Sequence, residues 1–207
     1  MKTSAVIVAV AGVLTVGGYV AYRTMLAEPD AAAQAGPTAT TDAPTAVEAA
    51  QTLPDFTLAN LSGEQQSIRS WPDQALIINF WATWCAPCLR EIPLLKDFQE
   101  TQRANGVTVV GIAVDRPQPV AAFAEDLAFN YPVLVGQAEG MDAAASFGVE
   151  VFALPFTVFT DHDANILGVH TGELHTEHLE NLAAVLEDLG AGRIDLERAR
   201  ARIDGRI

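Results

Sequence analysis

Cysteine and basic side chains are scarce in this chain of 207 residues. Two cysteines are too few for the set of disulfides that stabilises many small secreted domains. Twelve Lys and Arg residues stand against 26 Asp and Glu residues, for a formal net charge of −14. Such a chain repels the phosphate backbone, and it has no basic run interleaved with aromatic residues. The composition therefore disfavours nucleic acid as a partner.

Long hydrophobic runs are also absent, except at the N-terminus. Between Lys2 and Arg23 lie 20 uncharged residues, mostly Ala, Val, Ile, Leu and Gly. A helix of this length spans about 30 Å, the thickness of the hydrocarbon core of a bilayer. The alternative is a signal peptide cleaved near Ala33-Gln34-Ala35, but the apolar part of such peptides is usually shorter. We expect residues 1–26 to form a single-pass membrane anchor, with the N-terminus in the cytoplasm and the remaining chain outside.

The rest of the chain divides by composition into a linker, one domain and a tail. Residues 27–52 are mostly Ala, Thr, Pro, Gln and acidic residues without apolar periodicity, which predicts a disordered tether. Residues 53–189 carry 5 basic and 19 acidic side chains together with the apolar patterns of a core. Residues 190–207 carry five Arg against three acidic residues. This Arg-rich tail could add a short helix, but we expect a solvated extension.

The apolar patterns of residues 53–189 predict strands and helices in alternation. Two hairpins are predicted, with turns at residues 60–63 and 161–165. Buried strands are predicted at residues 75–80, 107–114 and 131–135, and helices at 87–105, 119–129, 141–147 and 177–189. This order predicts an α/β fold with a mixed central sheet and helices on both of its faces.

The two cysteines lie three residues apart in Cys85-Ala86-Pro87-Cys88, where a predicted buried strand is followed by a long helix. With Cys85 at the helix cap and Cys88 one turn inside, both sulfurs lie on one face, which is compatible with a disulfide. The free N–H groups and the positive dipole end of a helix N-terminus stabilise a thiolate and lower the pKa of the outer cysteine. The local sequence thus meets the requirements of a reversible dithiol.

Two other uses of the cysteine pair are weaker. A structural zinc site needs four ligands, and the chain has no second cysteine pair. An inert disulfide over this spacing would stabilise little, because the loop that it closes is minimal. We therefore expect no metal, and no cofactor other than the redox-active Cys85–Cys88 pair. The chain's other candidate zinc ligands are its histidines, whose spacing suits the end of a strand and the start of a helix better than a cage around a metal. They are His162, His170, His175 and His178.

The segment from Asn79 to Leu95, NFWATWCAPCLREIPLL, closely resembles the active-site segment of the TlpA/ResA-like family of membrane-anchored thiol–disulfide oxidoreductases. The similarity extends over residues 53–189, including the early hairpin and a helix–strand insertion before the last hairpin. It implies a thioredoxin-like fold with Cys85 as the attacking nucleophile and Cys88 as the resolving thiol. It also implies that Pro155 is a cis-proline facing the dithiol, although most X-Pro bonds are trans.

Two further positions of the motif bear on the chemistry. Asn79 stands where cytoplasmic thioredoxins carry a buried Asp that assists proton transfer, which an amide cannot do. Glu91 matches the family's carboxylate near the dithiol, one turn beyond Cys88. There it would raise the thiol pKa and could carry a proton to or from the resolving cysteine; a solvated helix residue is the alternative. The residues expected to contact a client are Trp84, Ala86, Pro87 and Leu154.

A dithiol can oxidise, isomerise or reduce its client, and its environment sets the direction. The resemblance implies a reductase of protein disulfides in the periplasm or another extracytoplasmic space, supplied by a transmembrane thiol electron donor. The family's usual client type is apocytochrome c, whose Cys-x-x-Cys-His thiols must be free for haem attachment. One alternative is a general thiol oxidant or exchanger. Another is a non-catalytic binding module or copper chaperone with the same fold.

Overall fold

The computed structural model describes residues 50–148 and 153–205. Its strands are β1 (Thr57–Asn60), β2 (Gln65–Ser67), β3 (Ala75–Trp81), β4 (Val107–Ala113), β5 (Val133–Val135), β6 (Phe156–Thr160) and β7 (Ile166–Thr171). Its α-helices are α1 (Ala86–Gln102), α2 (Pro117–Leu127), α3 (Ala138–Ala145), α4 (Thr176–Gly190) and α5 (Leu196–Asp204). Every element predicted within residues 53–189 is present, and the ends differ from the prediction by at most three residues.

The predicted membrane anchor, residues 1–26, lies outside the described residues, as does nearly all of the predicted linker, residues 27–52. Among the helices that the structure describes, none is long and apolar enough to cross a membrane.

The strands of the described residues form one sheet in the order β2-β1-β5-β4-β3-β6-β7. β3, β4 and β5 are parallel, whereas β6 and β7 extend one side of the sheet with antiparallel pairing and β1 and β2 extend the other. The prediction of an α/β fold with a mixed sheet is confirmed. Because the parallel neighbours β3 and β4 end at the same edge, the residues that follow them lie side by side.

β3 lies at the centre of the sheet and is buried along its whole length. Its nearly continuous apolar sequence suits a strand that is covered on both faces. Ile77 packs in the cluster that contains the apolar side chains of α1 and α4, whereas Ile78 packs in the cluster that contains those of α3. Helices on both faces are therefore confirmed. Asn79, the only polar side chain of β3, points toward α1.

The position of α1 decides where the cysteines lie. The helix begins at the N-cap residue Cys85, whose backbone is extended, and Pro87 occupies the first turn. Further along, the buried amide of Gln99 donates to the carbonyl oxygen of Val107 at 3.2 Å and accepts from the N–H of Val109 at 2.7 Å. These bonds give partners to backbone groups in the part of β4 that does not pair with β5. They tie α1 to the sheet and so hold its N-terminus at the end of β3.

The part of residues 190–207 that the structure describes contains a packed helix, α5, so the expectation of a solvated extension is wrong there. Ala199 and Ile203 of α5 are buried, and Gly168 of β7 lets the helix approach the sheet. A Cβ at Gly168 would lie only 2.5 Å from Cγ2 of Ile203. Arg202 also pairs with Asp188 of α4 at 2.5 Å. A nine-residue helix with so narrow an apolar stripe is marginal on its own, so its packing could not be inferred from the pattern.

Replacing Ile203 by Ala should destabilise the domain, because this side chain is 1% exposed and its loss leaves a cavity between α5 and the sheet. Such truncations lower the free energy of unfolding by about 2–5 kcal/mol. Urea unfolding measures the change, with Arg198→Ala on the exposed side of α5 as the control. Equal stabilities of the two variants would contradict the packing of α5 on β7.

Candidate active site

Cys85 and Cys88 form a disulfide where β3 is followed by α1, with 5.3 Å between their Cα atoms. Cys85, at the N-cap, is 5% exposed, whereas Cys88 is fully buried. The Sγ atom of Cys85 accepts a hydrogen bond from the backbone N–H of Cys88 at 3.4 Å. Because a thiolate at Cys85 would keep this donor and the positive end of α1, the outer sulfur is the better-placed nucleophile.

A tight turn carries the chain from β3 to Cys85, and Asp115 holds it in place. The N–H of Cys85 donates to the carbonyl oxygen of Ala82 at 3.1 Å, which closes the turn. Oδ2 of Asp115 accepts from both the backbone N–H and the hydroxyl of Thr83, at 3.2 and 2.6 Å. The next residue, Trp84, is 71% exposed. The turn thus presents an indole to solvent directly beside the outer cysteine.

The ionised form of Asp115 is favoured in this position. Burial alone would raise its pKa, but hydrogen bonds from Thr83 and from the backbone N–H of Arg116 hold the pKa below its ordinary value. Sequence analysis missed Asp115. It follows β4, whose neighbour β3 leads to the cysteines, and adjacency at the ends of parallel strands is the signal that could have identified it.

Glu91 is 1% exposed, so the solvated alternative for this residue is wrong. It lies three residues past Cys88 on α1, on the same side of the helix. Its Oε1 accepts from the side-chain amide of Asn79 at 2.8 Å, and its Oε2 accepts from the backbone N–H of Leu174 at 2.7 Å. Donors from β3 and from the loop before α4 therefore meet at one buried carboxyl group.

Burial raises the pKa of Glu91 to about 7. The hydrogen bonds from Leu174 and Asn79 favour the charged form and oppose this shift, while the negative charge of Glu173 adds to it. A group that titrates near neutrality can both accept and release a proton at physiological pH. The geometry thus permits the acid–base role that the resemblance implied for Glu91.

The side chains of Asn79 and Tyr131 lie near this carboxyl group, and each has further neighbours. Asn79 also donates to the hydroxyl of Thr157 on β6 at 3.0 Å, so its amide bridges β6 and Glu91. Tyr131 is buried, and burial together with the charge of Glu91 raises the pKa of its phenol. Phe129 stands between Trp81 and Tyr131, with ring centroids 5.5 and 5.1 Å away. Trp81 therefore packs in the core, whereas Trp84 is exposed to solvent.

The structure places Pro155 beside the end of β3 that carries the cysteines. The Leu154–Pro155 peptide bond is cis, and Phe156, the next residue, pairs with Phe80. Pro155 is buried, and its carbonyl oxygen accepts from the N–H of Gly172 at 2.9 Å. Half-buried Leu154 packs against the cluster that contains both cysteines. Two other expected client contacts, Ala86 and Pro87, lie in the first turn of α1 at the same end of the sheet. Ala86 is exposed and Pro87 is half-buried.

Three of the four histidines have rings close to one another. The rings of His170 and His178 lie 4.6 Å apart, and those of His175 and His178 lie 5.5 Å apart, near the start of α4. Within the described ranges, no group of three or more His, Cys, Asp or Glu side chains is placed to bind a metal ion.

Residues 48–186 match the Redoxin family. The thiol-disulfide oxidoreductase ResA of Geobacillus kaustophilus is 29% identical over 137 residues, which cover 66% of this chain and 76% of ResA. The thioredoxin-like protein YneN of Bacillus subtilis is 30% identical over 138 residues, which cover 65% of this chain and 78% of YneN.

Solved structures of known thiol–disulfide proteins resemble this one, including the following two. A secreted thiol-disulfide isomerase from Corynebacterium glutamicum superposes with a TM-score of 0.60 at 29% identity, over 66% of this chain and 85% of that one. A thiol:disulfide interchange protein of the thioredoxin family from Chlorobium tepidum superposes with a TM-score of 0.57 at 27% identity, over 66% of this chain and 94% of that one. The predicted thioredoxin-like fold is confirmed.

Replacing Glu91 by Gln should change how stability depends on pH in the oxidised protein. Because folding raises the pKa of Glu91 from 4.5 to about 7, its contribution is complete below pH 4.5 and is lost as the pH rises through 7. The wild type should lose up to about 3 kcal/mol of unfolding free energy over this range relative to the variant. Urea unfolding at several pH values measures this. Glu180→Gln, at an exposed position of α4, is the control, and parallel profiles of wild type and Glu91→Gln would refute the raised pKa.

Replacing Thr83 by Val should weaken the turn before Cys85, because the shape is kept but Asp115 loses its 2.6 Å hydrogen bond. Leaving a buried acceptor short of a partner lowers the free energy of unfolding by about 1–3 kcal/mol. Thr101→Val, which removes a hydroxyl that bonds to Phe98 within α1, is the matched control and should have a smaller effect in the same urea titration. The opposite ranking would mean that Asp115 does not stabilise this turn.

Proposed function

Because the chain belongs to the Redoxin family and is a ResA/TlpA-like thiol–disulfide oxidoreductase, we propose that it reduces disulfides of client proteins on the extracytoplasmic side of a membrane. The observation that carries the reductive direction is the buried carboxyl group of Glu91, one turn from Cys88. A carboxylate beside a dithiol disfavours the thiolate, so the reduced form gains little stability from ionisation of its thiols. Strong oxidants of this fold do the opposite, because they stabilise their reduced form.

In the proposed cycle, the thiolate of Cys85 attacks one sulfur of the client disulfide. An S–S bond forms between Cys85 and the client, the client's own S–S bond breaks, and the released client thiolate takes up a proton. The thiol of Cys88 then loses its proton and attacks the sulfur of Cys85, which releases the second client thiol. The client gains two electrons and two protons, and the enzyme is left with the disulfide seen here.

Glu91 is proposed as the base that accepts the proton of Cys88. Both residues are buried, so bulk water is a poor acceptor there, and a carboxyl group with a pKa of about 7 is half ionised at neutral pH. When a donor dithiol reduces the pair again, the same group returns a proton to Cys88. Asn79 acts as a hydrogen-bond donor that keeps the ionised form accessible.

Client binding is proposed at the apolar surface around Cys85. Trp84 supplies the largest exposed apolar side chain of this surface. Pro155 would lie against the client segment that enters the mixed disulfide, as the resemblance implies. The remaining contacts proposed are Ala86, Pro87 and Leu154.

The location and the partners rest on the sequence. An uncharged N-terminal run long enough to cross a bilayer supports a membrane-anchored domain in the periplasm or a comparable extracytoplasmic space. In an oxidising compartment the pair must be reduced again, so we propose a transmembrane thiol donor. Apocytochrome c is the client class that the family resemblance supports.

Single cysteine variants test the cycle. Cys85→Ser should lose all reduction of insulin disulfides, because the attacking sulfur is absent. Cys88→Ser should also lose turnover but should accumulate a covalent complex with the client through Cys85, because the resolving thiol is absent. Mass spectrometry of the non-reduced mixture detects this complex. Its appearance with Cys85→Ser instead would reverse the two assigned roles.

The reduction potential decides the direction of the reaction. Equilibration of the purified protein with glutathione and dithiothreitol buffers should give a value below about −230 mV for a dedicated reductase. A value near about −120 mV would identify a thiol oxidant instead and would exclude apocytochrome c reduction.

A further inference from the structure

Two parallel contacts join α1 to the loop at residues 172–175, which connects β7 to α4. Each contact uses one of two adjacent residues of α1 and one of two adjacent residues of the loop. On the outside, Arg90 pairs with Glu173, and on the inside the Oε2 atom of Glu91 accepts from the backbone N–H of Leu174. The outer contact is exposed, with side-chain exposures of 60% for Arg90 and 22% for Glu173. The inner contact is buried.

The outer ion pair has a well-defined geometry. Nε of Arg90 lies 3.1 Å from both carboxylate oxygens of Glu173, and Nη2 lies 2.5 Å from Oε2. A planar guanidinium that meets a carboxylate through two nitrogens fixes orientation as well as distance. The contact therefore fixes the position of Glu173, and with it the backbone of the adjacent Leu174.

The surface above Glu91 is a shallow depression of about 490 Å³. The Arg90–Glu173 pair stands at this depression, and Glu91 is among the residues that line it. Yet Glu91 is only 1% exposed, because the loop lies over its carboxyl group. A displacement of the loop is thus the shortest way for water to reach this buried acid.

We propose that the Arg90–Glu173 ion pair is a latch that holds the 172–175 loop over Glu91 and keeps water away from its carboxyl group. Arg90 and Glu173 are then positioning residues, since they act through Glu91. This inference concerns how Glu91 is kept buried, and its catalytic importance rests on the proposed function.

Several charged or titratable groups face this region and must be considered together. Helix α1 contributes Arg90, and the loop contributes Glu173. The segment before β5 contributes the buried phenol of Tyr131. The imidazole of His170 on β7 contacts the carbonyl oxygen of Glu173 at 3.3 Å. The start of α4 contributes three further groups, His175, Glu177 and His178.

The latch and a simple charge effect predict opposite results for Arg90→Gln. Loss of the positive charge alone would leave Glu173 unneutralised and would raise the pKa of Glu91. Opening of the loop would instead hydrate Glu91 and remove burial, the largest cause of its raised pKa. It would also remove the hydrogen bond from Leu174, which lowers the pKa, but burial is the larger of the two effects, so the pKa would fall.

The experiment uses the full-length oxidised protein, isotope-labelled, in detergent micelles. NMR measures hydrogen exchange at the Leu174 amide and the titration of the Glu91 side-chain carboxyl carbon. In Arg90→Gln, Leu174 exchange should accelerate at least about threefold, and the pKa of Glu91 should fall by at least about 0.5. Arg193→Gln, which breaks two ion pairs at the other end of α4, should change neither quantity.

Any other result for Arg90→Gln overturns the latch. Unchanged exchange at Leu174 would mean that the ion pair does not hold the loop, and a rise in the pKa of Glu91 would mean that loss of the ion pair does not admit water to its carboxyl group. Global unfolding should change little, since exposed ion pairs contribute little to stability. Neither readout requires turnover, so failure of the latch is distinguishable from failure of the proposed reductase activity.

Discussion

A buried carboxyl group needs hydrogen-bond donors from more than one direction, and in this protein Glu91 receives them from two distant parts of the chain. Asn79 reaches it from the central strand β3, and the N–H of Leu174 reaches it from the loop before α4. The same amide of Asn79 also donates a hydrogen bond to the hydroxyl of Thr157 on β6. Folding must therefore bring α1, β3, β6 and this loop together before the acid beside Cys88 is satisfied.

The two cysteines experience opposite electrostatic influences within one turn of helix. Cys85 sits at the positive end of α1, which favours its thiolate, while Cys88 lies in the core with Glu91 one turn further on. This difference supports the proposed roles, in which the outer sulfur attacks the client and the inner sulfur gives its proton to a nearby base. One helix end and one buried acid are thus enough to make the two sulfurs unequal.

Much of the fold was predictable because its signals are local. The strand at 75–80 and the helix that follows it are strongly patterned, and both were found to within three residues of their ends. Signals that depend on a distant partner were missed or misjudged. The arginines of α5 suggested a solvated tail, yet Ile203 packs against the glycine at position 168, and no local pattern records that contact. Asp115 was overlooked for the same reason, since the residue that it binds, Thr83, is 32 positions away.

The sequence alone determined the chemistry: two cysteines at a strand–helix junction, a carboxylate one turn further on, and an active-site segment that resembles a known family of oxidoreductases. These are properties of a few neighbouring residues, which spacing and side-chain type are enough to specify. Only the tertiary structure decided that Glu91 is buried, that Asn79 and Leu174 donate to it, and that Asp115 holds the turn before Cys85. Burial and hydrogen bonding to the backbone are set by which segments pack together, and burial, opposed by the hydrogen bonds, raises the pKa of Glu91 to about 7.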